Sequence, residues 1–460
     1  MQWGTKLRCE IAMLFGLEAS LSGSDFYDIY TGETLKREKL PPSSEKDQDS
    51  RESLKIKLRK RIAELGSAEA VLLDPISAEL AEKIMASRKS EIEKHDKLSW
   101  RQKFFLKKGG QYALNVGPIA ETLNEKVLWT TLCYYGFSEQ DSSEVTSWIW
   151  NKLTAKLFVR DTVGAKYVAR LYGAFKNLKE IFEPEFWDRL PQKFVVKIVL
   201  GCFGMFVRVV DKNDPKSVES TSSLKAEKFP RITEERYIVE EYLPPLIPDC
   251  TVTDYKFVCS YGNIIFVVVG YAPARPGPIS SNDKWEDIYT VPNWHLLDAT
   301  YCSLKQIPIE KPSKLAEMME VAQKLSRSSP LIRIDLYLTK DEEGQFVVKV
   351  GEITTRIAGG TAVIKPVGCE YLAGELVPTM SEADFDLLKD RDLIEVHEWM
   401  EKLKQSTDLM HDTMMPGFNC TPHINWDSLS PWAEKRLQGS SIKEIKDSRC
   451  QEINKLPPLL

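Results

Sequence analysis

Long apolar runs, paired cysteines and an excess of basic residues are all missing from this sequence. No stretch approaches the ~18 apolar residues of a membrane-spanning helix, and the longest clean run, Ile264 to Ala272, has the length of a strand. Lys6 and Arg8 ahead of Ile11 to Leu17 imitate a secretion signal. Glu10 interrupts the imitation and the apolar core is minimal, so the expectation is a cytoplasmic protein with no membrane association. The nine cysteines are scattered, with no C-x₂-C pair, which argues against a zinc site or a disulfide framework. Lys and Arg (62) against Asp and Glu (67) leave a net charge of −5, without the basic footprint of a nucleic-acid binder. No G-x₄-G-K-[ST] phosphate loop occurs. No base stands beside Cys202, so it does not read as a nucleophile.

What remains is a chain with a large core to build. Hydrophobic residues make up 43% of 460, enough to exclude a disordered or fibrous protein, and the length suggests several domains. Residues 1–66 form an N-terminal segment whose charged part, 36–61 with Pro41-Pro42, reads as a linker running into an exposed helix start. Residues 67–149 read as helical, with Ala70, Leu72, Leu73, Ile76, Leu80 and Ile84 at mixed three- and four-residue spacing. From about residue 150 the texture changes. Phe194 to Leu200, Tyr237 to Leu243, Phe257 to Ser260, Ile264 to Tyr271, Leu331 to Leu338 and Phe346 to Ile353 are short β-branched or aromatic runs between Gly, Pro, Asp and Asn. Tyr261-Gly262-Asn263 joins two of them as a hairpin. One helix, Ser313 to Ser326 with Ser313 as N-cap, interrupts. Residues 363–460 return to helix, opened at 381 by the pattern Ser381-x-x-Asp384. The fold class is α+β with antiparallel strands between helical ends.

Chemistry concentrates in Leu331 to Gly360. A two-residue loop at Glu343-Gly344 sets Asp335 directly opposite Glu352, whereas a four-residue loop, 341–344, makes them diagonal neighbours. Either register puts both carboxylates on one face, roughly 5–8 Å apart. Two carboxylates in apolar strands need compensation, and a divalent cation such as Mg²⁺ suits oxygen ligands. Arg333 and Thr354 share that face; a solvated face with an Arg333–Glu352 ion pair is the plainer alternative. Lys197 interrupts an apolar strand and must snorkel or meet an anion. The turn after it, Gly201 to Gly204, is either a phosphate-covering hairpin or an ordinary one. Tyr237 to Leu243 runs into Glu240-Glu241 and then Pro244-Pro245, leaving an edge able to hydrogen-bond a planar heterocycle. Asp254 and Lys256 share one face of the next strand. Lys156, taken alone, is a surface lysine.

Seven pieces in order carry a resemblance: KLFVRDTVGAKYV (156–168), LPQKFVVKIVLGCFG (190–204), YIVEEYL (237–243), DYKFVCSYG (254–262), the Lys314–Leu325 helix, RIDLY (333–337) and GEITTRIAGG (351–360). Together they resemble the ATP-grasp superfamily, in its TupA-like branch linked to teichuronopeptide synthesis, over roughly residues 150–360. The resemblance implies an ATP-grasp fold in which two α+β subdomains, 150–235 and 236–362, clamp ATP. It implies a carboxylate–amine ligase acting through an acyl phosphate on small-molecule acid and amine substrates. Lys156 and Lys197 would meet the phosphates beneath a mobile Gly201–Gly204 loop. Glu240, Glu241, Tyr242 and Leu243 would be the hinge whose backbone reads adenine. Asp254 would hold ribose, Lys256 a phosphate, and Arg333 the developing oxyanion. Asp335 and Glu352, with Thr354 where the wider superfamily has Asn, would hold Mg²⁺. Arg275, His295 and Arg356 are candidate substrate contacts. A small-molecule kinase on the same scaffold and a non-catalytic nucleotide-binding module are the competing classes.

Overall fold

A two-residue turn with both residues at positive φ matches the right-handed twist of the strands it joins. Tyr261 (φ 46°) and Gly262 (φ 75°) make such a turn in the computed structural model of the chain, closing the pair Ser260↔Asn263 as expected. The structure describes residues 25–27, 34–36, 45–87, 120–135, 144–200, 207–224, 233–272, 285–301, 308–357, 364–424, 436–437 and 439–453.

Two antiparallel sheets position the site. The strands are β1 (Leu171–Phe175), β2 (Lys193–Ile198), β3 (Val207–Asp211), β4 (Tyr237–Glu241), β5 (Asp254–Ser260), β6 (Asn263–Tyr271), β7 (Trp285–Tyr289), β8 (Ile332–Lys340) and β9 (Phe346–Thr354). The first sheet has the order β1-β4-β2-β3 and the second β9-β8-β5-β6-β7. β1 and β7 carry no alternating apolar pattern that marks them in the sequence. Gly173 in β1 and the paired Glu286-Asp287 in β7 break it.

Strand alternation sorts the second sheet into two faces. Phe257, Val267, Ile334 and Leu336 face the helix Leu315–Ser326, whose Met318, Val321, Ala322 and Leu325 are buried against them, as are Leu153 and Leu157 of the helix Lys152–Val163. Each such side chain contributes about 1.5–3 kcal/mol of burial. The N-cap of the helix Leu315–Ser326 is Lys314, which makes no side-chain capping hydrogen bond. The expected Ser313 cap is not used, because the helix starts two residues later than its sequence signal. Val258, Phe266, Val268 and Ile288 on the opposite face pack on Leu58, Val71, Ile84, Leu123 and Tyr371. Those residues come from both helical ends of the chain. Helix Glu45–Leu65 is therefore packed rather than an exposed linker: Leu58 is fully buried and Arg51 pairs with Glu121. Within the 67–149 region the described residues begin with the helices Ala68–Leu73 and Pro75–Ala86, broken where Asp74 caps the second by accepting from Ser77 N. The helix Glu382–Lys404 carries the expected Ser381/Asp384 capping box. Among the described residues no helix is long and apolar enough to cross a membrane.

Candidate nucleotide and metal site

The β8–β9 hairpin follows neither expected loop. Its turn spans Asp341 to Gln345, with Gly344 at φ 78°, and pairs Lys340↔Phe346 through Leu336↔Val350. That register alone would set Asp335 against Gly351 and turn Glu352 to the other face. Gly351 instead bulges out of the ladder, and beyond it Asp335 pairs directly with Glu352. A bulge shifts the alternation by one residue, so it brings the second carboxylate onto the first one's face. Gly351 also accommodates the Tyr337 ring, which an added Cβ would meet at 2.4 Å.

Arg333 grips Asp335 with two hydrogen bonds, Nε to Oδ1 at 2.7 Å and Nη2 to Oδ2 at 2.6 Å, and Nη2 also donates to Thr354 Oγ1 at 3.2 Å. The alternative reading, a surface pair of Arg333 with Glu352, is not what forms: Arg333 pairs with Asp335. Asp335 is buried, and burial pushes its carboxyl up to about 7 against the pull of Arg333, with Asp254 and Glu352 adding to the rise. Burial alone would weaken the Arg333 charge, but Asp335 more than offsets it. Glu352 is more open, and Lys152 Nζ lies 3.9 Å from its Oε1. Among the described residues no cluster of three or more His, Cys, Asp or Glu could cage a metal unaided. Two facing carboxylates fit a cation that takes its remaining ligands from phosphate oxygens and water.

The first sheet supplies the lysines. Lys156, from the helix Lys152–Val163, and Lys197, from β2, both pair with the buried Glu240 carboxylate on β4. Lys156 does so at 2.9 Å, and its ammonium also donates to Ala169 O at 2.8 Å. Burial favours neutral Glu240, yet the two ammonium groups outweigh it and hold the carboxyl at about 2. Burial pushes Lys156 down more than Glu240 holds it up. Sequence reasoning assigned Glu240 a backbone role only; its side chain joins the two lysines. Ladder pairing ends at Glu241, and the chain runs through Tyr242 and Leu243 to Pro244, whose carbonyl accepts from Thr339 Oγ1 at 2.7 Å. Lys349 Nζ, 3.4 Å from Glu241 Oε1, ties this segment to β9.

On the second sheet two cross-strand rows share the Asp335 face. One runs Glu352, Asp335, Lys256, Val268, Ile288; the other Lys349, Tyr337, Asp254, Gly270, Glu286. Lys256 Nζ lies 3.3 Å from both Asp254 Oδ2 and Glu286 Oε1. Among the described residues Asp254 Oδ1 is buried with no hydrogen-bond donor, a costly state unless a ligand hydroxyl supplies one. Tyr337, Glu286, Lys349 and Lys152 were missed in the sequence. Tyr337 was recoverable from its place two residues after Asp335, and Lys152 from its place one helical turn before Lys156.

The three candidate substrate residues fare differently. Gly201, Gly204 and Arg275 lie outside the described residues. Arg356 stacks 4.2 Å over the Trp150 ring, while Trp150 Nε1 donates to Thr355 Oγ1 at 2.6 Å. His295 Nδ1 meets Glu69 Oε1 at 3.2 Å, in a loop after edge strand β7, where Thr290 and Asn293 donate to the same carboxylate. This places it against the N-terminal helices, at the sheet edge opposite β9.

The sequence model of the TupA-like ATPgrasp family matches residues 137–377, more than half of the chain. No curated protein matches it. Among solved structures, the D-cycloserine synthetase DcsG shares 14% identity at a TM-score of 0.28, over 50% of this chain and 71% of that one. D-alanine–D-alanine ligase from Helicobacter pylori shares 16% at 0.30, over 52% and 61%. L-amino acid ligase from Bacillus licheniformis shares 15% at 0.31, over 57% and 56%. The chain therefore spans from little over half to under three quarters of the length of these structures.

Proposed function

Since the chain belongs to the TupA-like ATPgrasp family, we propose that it is an ATP-dependent ligase joining a small-molecule carboxylate to an amine. The observation that carries this reading is the direct pairing of Asp335 with Glu352 beside Arg333. Facing carboxylates and a fixed cation on one face suit a triphosphate accompanied by Mg²⁺. Asp335 and Glu352, with Thr354 beside them, would hold that ion, which when bound draws charge from the phosphate oxygens.

The chain's own groups then have separable tasks. Lys156 and Lys197, now shared by Glu240, offer positive charge to the phosphates. Tyr242 and Leu243, beyond the end of ladder pairing, offer free backbone edges to adenine, and Asp254 offers a carboxylate oxygen to ribose. A carboxylate oxygen of the acid attacks the γ-phosphorus and ADP leaves. Arg333 offsets the negative charge gathered there. The amine nitrogen then attacks the acyl carbon, phosphate leaves with the bonding electrons, and the nitrogen loses a proton. Arg356, stacked on Trp150, would meet an anionic group of a substrate.

A screen of acid–amine pairs for ADP release, with mass spectrometry of the products, tests this. ADP release that requires both partners and yields an amide is expected. A stable phosphorylated product from one partner alone would make the protein a kinase. Weak, metal-insensitive ATP binding with no turnover would leave a non-catalytic module.

A further inference from the structure

Lys256 reaches its position over bare backbone. Asp254, Gly270 and Glu286 lie side by side in one cross-strand row, and the Lys256 side chain lies over the middle of that row. A Cβ on Gly270 would come within 2.6 Å of Lys256 Nζ and 3.3 Å of Glu286 Cγ. Only glycine leaves the ammonium room to sit between the two carboxylates, 3.3 Å from each.

The competing partner is Asp335, directly across the ladder from Lys256 on the same face. Without Glu286, the ammonium would be free to turn toward it and release Asp254. With Glu286 in place, Lys256 occupies Asp254 Oδ2 and leaves Oδ1 buried without a donor among the described residues. A charged acceptor held in one orientation with one oxygen unused is suited to a neutral hydroxyl donor. The Lys256 head, largely buried and already shared by two carboxylates, is poorly placed to hold a phosphate.

We propose that Lys256, Gly270 and Glu286 form a brace that orients Asp254 toward a ribose hydroxyl and makes the site select ribonucleotides over deoxyribonucleotides. The proposal rests on the nucleotide site proposed above. Lys256 and Glu286 are positioning residues acting through Asp254, and Gly270 is the gap that lets them meet.

The test is equilibrium binding of ATP, 2′-deoxyATP and 3′-deoxyATP, each with Mg²⁺, to the full chain. A hydrogen bond to a charged group predicts a preference for ATP over at least one deoxy analogue on the order of tenfold. Asp254→Asn, Glu286→Gln and Gly270→Ala should each erase that preference. The loss should fall on ATP, rather than appear as tighter binding of the deoxy analogue. Lys256→Arg, which spans the same gap, should retain part of the preference. If Asp254→Asn erases it while Glu286→Gln and a folded Gly270→Ala keep it, the brace is wrong and the ribose site stands. Lys256→Met weakening all three nucleotides alike would make Lys256 a phosphate contact and overturn the brace as well. If wild type binds no ATP, the nucleotide reading itself fails; if Asp254→Asn leaves the preference intact, the ribose role of Asp254 and the brace fail while the nucleotide site stands.

Discussion

Asp335 and Glu352 face each other across the β8–β9 ladder because Gly351, between Val350 and Glu352, has no partner in it. One extra residue in one strand converts a pairing that would separate the two carboxylates into one that joins them.

Removing either carboxylate should therefore stop turnover and spare the fold. Asp335→Asn and Glu352→Gln are each expected to lower ADP release about 10²–10³-fold, the usual loss of one charge-stabilising group. Circular dichroism should be unchanged. Near-normal turnover by either purified variant would remove the metal assignment.

Gly351→Ala tests the bulge. The new methyl meets the Tyr337 ring well inside van der Waals contact, and overpacking of this kind costs about 1–3 kcal/mol. Thermal denaturation should show that loss. Adding Tyr337→Ala, which removes the obstructing ring, should recover stability relative to the sum of the two single changes, as a double-mutant cycle would register. Strict additivity would show that the ring does not impose the glycine.

Glu240 predicts an acid limit. Its folded carboxyl is held at about 2 by Lys156 and Lys197, against an ordinary value of 4.5. A depressed carboxyl stabilises the fold fully above its unfolded value, and that contribution is lost as pH falls through the window from 4.5 to about 2. The unfolded chain takes up the proton first. Denaturant titrations across this window should show wild type losing stability faster than Glu240→Gln. At neutral pH the variant should be the less stable, with two buried ammonium groups left short of a partner.

His295 and Glu69 separate anchoring from catalysis. Glu69 accepts from Thr290 Oγ1, Asn293 N and Asn293 Nδ2 and meets His295 Nδ1, fastening helix Ala68–Leu73 to the loop after β7. Glu69→Ala should cost about 1–3 kcal/mol in chemical denaturation, since several donors lose their acceptor. His295→Ala should lower stability less and leave kcat unchanged. A large fall in kcat for His295→Ala would return that residue to the substrate contacts.

Local chemistry made much of this protein legible from its sequence. The Tyr261-Gly262 turn, the Ser381/Asp384 capping box and the alternation that puts Arg333 and Asp335 on one face are all short-range properties, decided by dihedral preference and a period of two. The ordered run of motifs from Lys156 to Gly360 was enough to identify the family. Contacts between distant segments were settled only by the tertiary structure. Glu240 between Lys156 and Lys197, Lys256 between Asp254 and Glu286, and the packing of both helical ends against the second sheet join residues far apart in the chain, so no spacing encodes them. The carboxylate register belongs to the same class. Gly351 reads as one glycine in a strand, and only the folded chain shows it leaving the ladder with the Tyr337 ring in the space where a side chain would stand.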